Sequence, residues 1–442
     1  MSTQISELNL YNTLSGKKEK FTPINTGEVS IYSCGPTVYG LTHVGNARAA
    51  LVPDLVVRTL ELAGYKVNFA RNITDIDDKI IKVSQTDNIT WQEVVAKFTN
   101  AYHSDLKKLG VTLPKHEPKA TETVAEILAL IENLIERGAA YVSETPFGND
   151  VYFKVSSFSE YGKLSKRKLE DMKAGVRIET GESKNDPLDF ALWKAAKPGE
   201  PSWDSPWGLG RPGWHIECSA MIKKVFRGPI DIHMGGIDLI FPHHENEIAQ
   251  SESCESHKLA NYWIHNGLLN FGKEKMSKSL GNIFTTEKFL DLYGPEIFRL
   301  MCLQHHYRGP MEFSEEVILR AEAMVERLYV ALGQFEKAQK LGAQKSQAYS
   351  LLGDEFLNLH KQISEPLFDD FKTSKGLGIV FKTIRALNKL GNESAWIVLE
   401  DAWPVVRNIF RLLEASSANE GLSSLRARKL KRLGITEQRA SE

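Results

Sequence analysis

His243 and Glu247 stand four residues apart in DIHMGGIDLIFPHHENEIAQSE, residues 231–252. Pro242 suits the first position of a helix, and residues i and i+4 share one helical face. An imidazole and a carboxylate so placed can hold one zinc ion, although a structural site takes four donors. His244 is three residues from Glu247, so spacing alone permits either histidine. Cys218, in GWHIECSAM, and Cys34, in YSCGPT, could supply two thiolates. By spacing alone, a surface His/Glu pair and two core cysteines account for the same residues, since free cysteine is commonly buried.

Three further stretches could do chemistry. HVGN, 43–46, places a histidine, a glycine and an amide where a strand gives way to a helix. Helix N-termini collect phosphates, glycine permits close backbone approach, and His43 can donate to a phosphoryl oxygen. An ordinary capped helix start has the same residues. In KMSKS, 275–279, two lysines bracket a small loop able to neutralise charge on departing pyrophosphate. A solvated turn is the plainer explanation of that run. RNITDIDDKI, 71–80, brings Asp75, Asp77 and Asp78 just past a strand end, where a helix cap is the default and metal binding the alternative.

The elements around these residues predict an α/β fold. VSIYS (29–33) is a buried strand, ARAALVPDLVVRTLELAGY a helix ending near Gly64, and KVNFARN (66–72) a second strand. Strand, helix, strand implies a parallel sheet, whose carboxyl edge is where such sheets bind ligands. VAEILALIENLIERG carries one apolar stripe, Ile127, Leu130, Ile131, Leu134 and Ile135, with Gly138 as its stop. DVYFKV, PIDIHM and YWIHNGLLNF are strand-like. Residues 180–215, rich in Gly, Pro and Trp, suggest a long stiff loop. Residues 313–415 are helical in pattern.

Composition narrows the class. A chain of 442 residues needs no disulfide staples, and four cysteines outside any CxxC pair favour a reducing cytoplasm. No apolar run approaches the ~18 residues of a membrane span, so no membrane partner is expected. A net charge of −1 argues against coating nucleic acid by charge alone, while leaving room for a local RNA surface.

The order of these segments resembles a known family. HVGN stands where class I aminoacyl-tRNA synthetases carry HIGH, and KMSKS matches their second motif letter for letter. CGPTVYG, RNITDIDDKI, EPKATE, DPLDFALWK, GRPGWHIECSAM and FPHHENEIAQSE are similar to segments of the cysteinyl-tRNA synthetases. The resemblance spans residues 8–400.

It implies a Rossmann-like parallel-sheet catalytic domain over 1–310 with a connective insertion over about 90–210, a helical tRNA-binding bundle over 311–415, and a short basic tail over 416–442. It implies one zinc per chain on Cys34, Cys218, His243 and Glu247, with His243 rather than His244 as ligand. Trp214 would wall the amino acid, Asp238 meet its ammonium group, and Gly35, Thr74 and His233 line the pocket. Thr37, His43, Gly45, Asn46, Gly235, Gly236 and Lys278 would contact ATP, accompanied by Mg2+. His43, Asn46, Lys275 and Lys278 would act in catalysis. The implied partners are L-cysteine, ATP and tRNA(Cys), bound by a monomer.

The chain departs from the family pattern in three places. Asn46 replaces the second histidine of HIGH and cannot carry charge. HMGG replaces a glycine triplet. The C-terminus is short, and its basic residues Arg426, Arg428, Lys429, Lys431 and Arg432 are expected to touch phosphate. On that expectation, removing the chain after residue 420 leaves cysteine activation intact and weakens charging. Two other functions fit part of the pattern. One is a ligase passing cysteine to an amino sugar, disfavoured by the helical region after KMSKS. The other is a non-catalytic paralogue, disfavoured by the intact motifs.

Overall fold

A computed structural model describes residues 5–170, 184–271, 274–275 and 284–435. Lys278 lies outside the described residues. Lys275 is placed only as part of a two-residue strand, Glu274–Lys275.

A hairpin of β1 (Asn9–Asn12) and β2 (Lys17–Lys20) precedes the expected βαβ unit. The apolar run at Val29, Ile31 and Tyr32 forms β3 (Glu28–Ser33), buried along most of its length. It leads through α1 (Val44–Leu62) to β4 (Lys66–Arg71), paired parallel with β3 from Glu28↔Lys66 to Ser33↔Arg71. α2 (Asp78–Asp87), α3 (Trp91–Lys108) and α4 (Val124–Glu136) follow. α4 buries Ile127, Leu130, Ile131 and Leu134, and Ile135 sits at the margin of that stripe.

A four-stranded antiparallel sheet follows, its core shared with α4 and with the helices at 214–226 and 245–254. Its strands are β5 (Ala140–Thr145), β6 (Gly148–Phe153), β7 (Phe190–Ala195) and β8 (Gly210–Pro212). Residues 180–215 are therefore not all loop. β7 buries Trp193 in that core beside Phe153 and Leu130 of α4. Pro212 is tolerated because β8 is an edge strand.

α5 (Trp214–Phe226) returns the chain to the parallel sheet. β9 (Ile230–Gly236), α6 (Glu245–Cys254) and β10 (Ala260–Asn266) complete it in the order β10-β9-β3-β4, all parallel. Strand order turns outward in opposite directions from β3 and β9. The crevice beyond their carboxyl ends is the topological switch point.

After β11 (Leu269–Phe271), β12 (Glu274–Lys275), α7 (Thr286–Leu292), α8 (Pro295–Leu303) and β13 (Met311–Glu312), the chain is mainly helical. α9 (Glu315–Lys340), α10 (Lys345–Leu352), α11 (Leu359–Ser364) and α12 (Thr373–Leu390) are regular, while 393–401 tightens into a 3-10 helix. The basic C-terminal segment, expected as a short tail, is helical over most of its described residues. It forms α13 (Ala418–Leu433), capped by Ser417, whose side chain accepts from the Glu420 N–H, and ended by Gly434 at φ 67°. Among the described residues, no helix is long and apolar enough to cross a membrane.

α1 and α3 share one continuous apolar core with α8, α9, α12 and α13. Arg299, fully buried, pins that junction. It donates to Asp54 Oδ2 at 3.1 Å, to the Leu109 carbonyl at 3.0 Å and to the Phe410 carbonyl at 3.0 Å. Arg299→Ala strips Asp54 Oδ2 and two carbonyls of their donor at once, while Arg58 and Thr112 keep Oδ1 paired, so we expect a loss of about 3–5 kcal/mol in denaturant unfolding. A loss of about 1 kcal/mol or less, the range of an exposed pair, would contradict this role for the residue.

Candidate active site and metal centre

Cys34 follows the last residue of β3, and its N–H donates to the Met234 carbonyl of β9 at 3.0 Å. The thiol thus sits at the mouth of the switch point. Cys218 and Trp214 come from the first turns of α5. His243 precedes α6, and Glu247 lies in its first turn. The regular helix starts at Glu245 rather than at Pro242, whose peptide bond with Phe241 is cis. His243 and Glu247 nevertheless meet, with Nε2 3.1 Å from Oε1.

Cys34, Cys218, His243 and Glu247 each present one donor atom within 4.8 Å of every other. The two Sγ atoms are 3.9 Å apart. Thiolates bound tetrahedrally at ~2.3 Å would stand about 3.8 Å apart, so the spacing suits a shared ion without moving either chain. Cys34 Sγ lies 3.7 Å from Glu247 Oε1. A second set, Cys34, His233, His244 and Glu247, meets the same distance limit. Cys34 and Glu247 belong to both, so the sets enclose one space.

Electrostatics point the same way. Burial pushes the Cys34 thiol well above its ordinary range, reinforced by Cys218, and does the same to the Glu247 carboxyl. Burial holds His243 and His244 well below the usual imidazole range and His233 down at about 3. Without a cation these groups prefer to be neutral. A bound dication reverses that logic, because it favours thiolate and carboxylate.

A ring of partners orients the donors. His215 Nδ1 is 2.9 Å from His243 Nδ1, leaving His243 Nε2 for the centre. Trp214 stacks on His243 with centroids 4.3 Å apart, its own outer side half-exposed. His233 Nε2 is 2.8 Å from Glu247 Oε2, and the His233 ring stacks on Trp263. His244 Nδ1 meets His265 Nε2 at 2.8 Å, and His265 Nδ1 meets Thr13 Oγ1 at 2.8 Å. Sequence reasoning missed His215, His265 and Thr13. His215 adjoins Trp214, and His265 alternates with Trp263 along β10, so two of the three left a trace. Thr13 left none.

HVGN closes on itself as a helix cap. His43 Nδ1 accepts from the N–H groups of Gly45 (3.1 Å) and Asn46 (3.3 Å), and Asn46 Oδ1 accepts from the His43 N–H at 3.2 Å. A Cβ on Gly45 would stand 2.9 Å from the His43 ring, which is why glycine is needed there. With Nδ1 accepting, the imidazole proton resides on Nε2, so His43 is fixed as a donor. The chain after KMSKS lies against this cap. Val44 donates to the Phe284 carbonyl at 3.2 Å, and Thr286 to the Thr42 carbonyl at 2.9 Å.

Thr37 and Thr74 pair across the CGPT segment, and Gly35 N–H donates to Asn72 Oδ1 at 2.8 Å. A Cβ at Gly35 would overlap the Asn72 carbonyl. Gly235 has a local reason to be glycine, since a Cβ there would reach the His244 ring at 2.6 Å. Asp238 is exposed in the turn after Gly236. The acidic run does not converge on a site. Asp75 accepts from Thr121, Asp77 caps α2, and Asp78 pairs with Arg211.

A parallel sheet with its site at the switch point, beside a His-capped helix start, is the architecture of class I tRNA synthetases. The fold is similar to Mycobacterium tuberculosis methionyl-tRNA synthetase in complex with methionyl-adenylate, with a TM-score of 0.66 at 15% identity over 93% of this chain and 97% of that one. Residues 20–323 match the family described as tRNA synthetases class I (C) catalytic domain. The cysteine--tRNA ligase of Thermodesulfovibrio yellowstonii is 49% identical over 86% of this chain and 79% of its own length. That of Geobacter metallireducens is 45% identical over 98% and 90%. The chain belongs to the cysteine--tRNA ligase family.

Because the two donor sets share Cys34 and Glu247, the purified protein should carry one metal ion per chain. Elemental analysis finding two ions, or none after purification without chelator, would refute a single shared centre.

Proposed function

We propose that this protein activates L-cysteine with ATP, giving cysteinyl-adenylate and pyrophosphate, and then transfers cysteine to the 3′-terminal adenosine of tRNA(Cys). The observation that carries this reading is the meeting of two thiols, an imidazole and a carboxylate at the switch point, next to a capped helix start.

A pocket for cysteine must reject serine, its near-isostere. Shape in an apolar pocket discriminates such pairs by only ~10²-fold, whereas protein synthesis needs ~10⁴–10⁵. The donors Cys34, Cys218, His243 and Glu247 suit zinc, which when bound prefers a substrate thiolate to a neutral hydroxyl. His233 steadies Glu247, and His215 steadies His243, as outer partners of metal ligands do. Trp214 covers the open side of His243 and supplies an apolar wall for the substrate's β-carbon. Asp238 receives the substrate ammonium, with Gly35 and Thr74 lining the pocket.

ATP lies along the His43 side, its triphosphate accompanied by Mg2+. His43 donates from Nε2 to a phosphate oxygen, and the helix start behind it adds a favourable dipole. Asn46 holds the cap with its amide oxygen, so its side chain contributes through the amide NH2. Thr37, Gly45, Gly235 and Gly236 border the nucleotide. Lys275 and Lys278 neutralise the pyrophosphate as it leaves. The substrate carboxylate is itself the nucleophile, so the protein supplies position and charge.

ATP–pyrophosphate exchange with cysteine and with serine, followed by charging of tRNA(Cys), tests the whole reading. Exchange should require cysteine. His243→Ala should strip zinc and lower the preference for cysteine to ~10² or below, while His244→Ala should keep the metal. Zinc loss in His244→Ala alone would transfer the site to the second donor set. Exchange absent with cysteine in the zinc-loaded protein would remove the function.

A further inference from the structure

The C-terminal helix ends on the element that braces the His43 cap. Arg432, near the end of α13, grips Glu322 of α9 with Nη2 2.6 and 2.7 Å from its two oxygens. Its Nη1 donates to the Leu292 carbonyl at 2.8 Å, and its guanidinium lies 4.5 Å from the centroid of the Tyr293 ring. Leu292 is the last residue of α7, so its carbonyl is one of the acceptors a helix end leaves without an intrahelical partner. A cation there also meets the negative end of the helix dipole. The pair is largely shielded, with side-chain exposures of 13% and 11%.

The rest of α13 is fitted for this docking. Ala418 and Leu425 enter the core that α1 shares with α9. A Cβ at Gly421 would overlap the Tyr329 ring, and one at Gly294 would overlap Arg428. Ala418 N–H donates to Glu336 Oε1 at 3.1 Å. Arg432 is thus committed inside the chain rather than offered to RNA phosphate.

α7 spans seven residues, or about 10 Å. Its far end is the Thr285–Thr286 segment, bridged to Thr42 and His43. One short helix therefore runs from the Arg432 clasp to the His43 cap.

We propose that Arg432 is a positioning residue for adenylate formation: it fixes the C-terminal end of α7, and α7 fixes the Thr42–His43 edge facing ATP. This rests on the reading above that His43 meets the triphosphate. α13 then serves the first half-reaction, which needs no tRNA. Removal of the chain after residue 420 should impair activation, contrary to the expectation from charge alone.

The test is ATP–pyrophosphate exchange without tRNA, on full-length protein below each variant's unfolding midpoint. Arg432→Ala should lower kcat about tenfold or more, since a shift of ~1 Å at a reacting group can cost ~10². The KM for cysteine should stay within about twofold, because that pocket is untouched. Arg432→Lys should recover part of the rate. Glu322→Gln, which keeps the shape of α9, should show the same split if Arg432→Ala fails to fold. Normal exchange in folded Arg432→Ala and Glu322→Gln, with only a lower Tm, overturns the proposal. So does normal exchange with salt-sensitive loss of charging, which puts Arg432 on RNA. Absence of exchange in the wild type removes the adenylate reading itself and this inference with it.

Discussion

Cys34 and Glu247 approach each other at 3.7 Å in a space closed by Trp214, Trp263 and five histidine rings. Two groups that become anions cannot share so dry a space unaided, and burial alone drives both toward their protonated forms. A divalent cation would resolve the conflict, and much of the surrounding structure converges on the donors that could hold it. β3 delivers Cys34 and β9 receives its N–H, so the thiol is held by the sheet itself. α5 and α6 pack together to bring Cys218 beside Glu247, although 184 residues separate Cys34 from Cys218.

On the proposed reading, the same sheet edge serves the nucleotide. α1 begins ten residues after Cys34, and its cap folds the His43 ring over Gly45 so that one nitrogen is spent and the other is turned into a donor. In that reading the amino acid and the triphosphate meet two sides of one crevice, one suited to soft thiolate and one to hard oxyanion. Such a separation would let a single site recognise a thiol by coordination and activate a carboxylate by charge.

The legible parts of the sequence were those with strong local patterning. The β3–α1–β4 unit announced itself through apolar runs and Gly64, and α4 through its stripe. β7 was hidden because FALWKA lies amid Gly, Pro and Trp that signal turns. α13 was hidden for a different reason. It buries Ala418, Gly421 and Leu425, at helical spacing, but two of those are too small to register as apolar. The Ser417–Glu420 cap was the available signal. In the site, spacing could pair His243 with Glu247 but could not bring in Cys34 or Cys218, because long-range proximity leaves no periodicity. Only the resemblance named the four together. It could not name His215, His265 or Thr13, whose roles arise from packing around those donors.

The central claim is that this buried centre recognises the substrate through its sulfur. X-ray absorption at the zinc edge of the purified protein, recorded alone, with cysteine and with serine, tests it most directly. The expected result is two sulfur scatterers in the free protein, a third on adding cysteine, and no change with serine. A spectrum unaltered by saturating cysteine would contradict the claim and leave the metal a purely structural part of the fold.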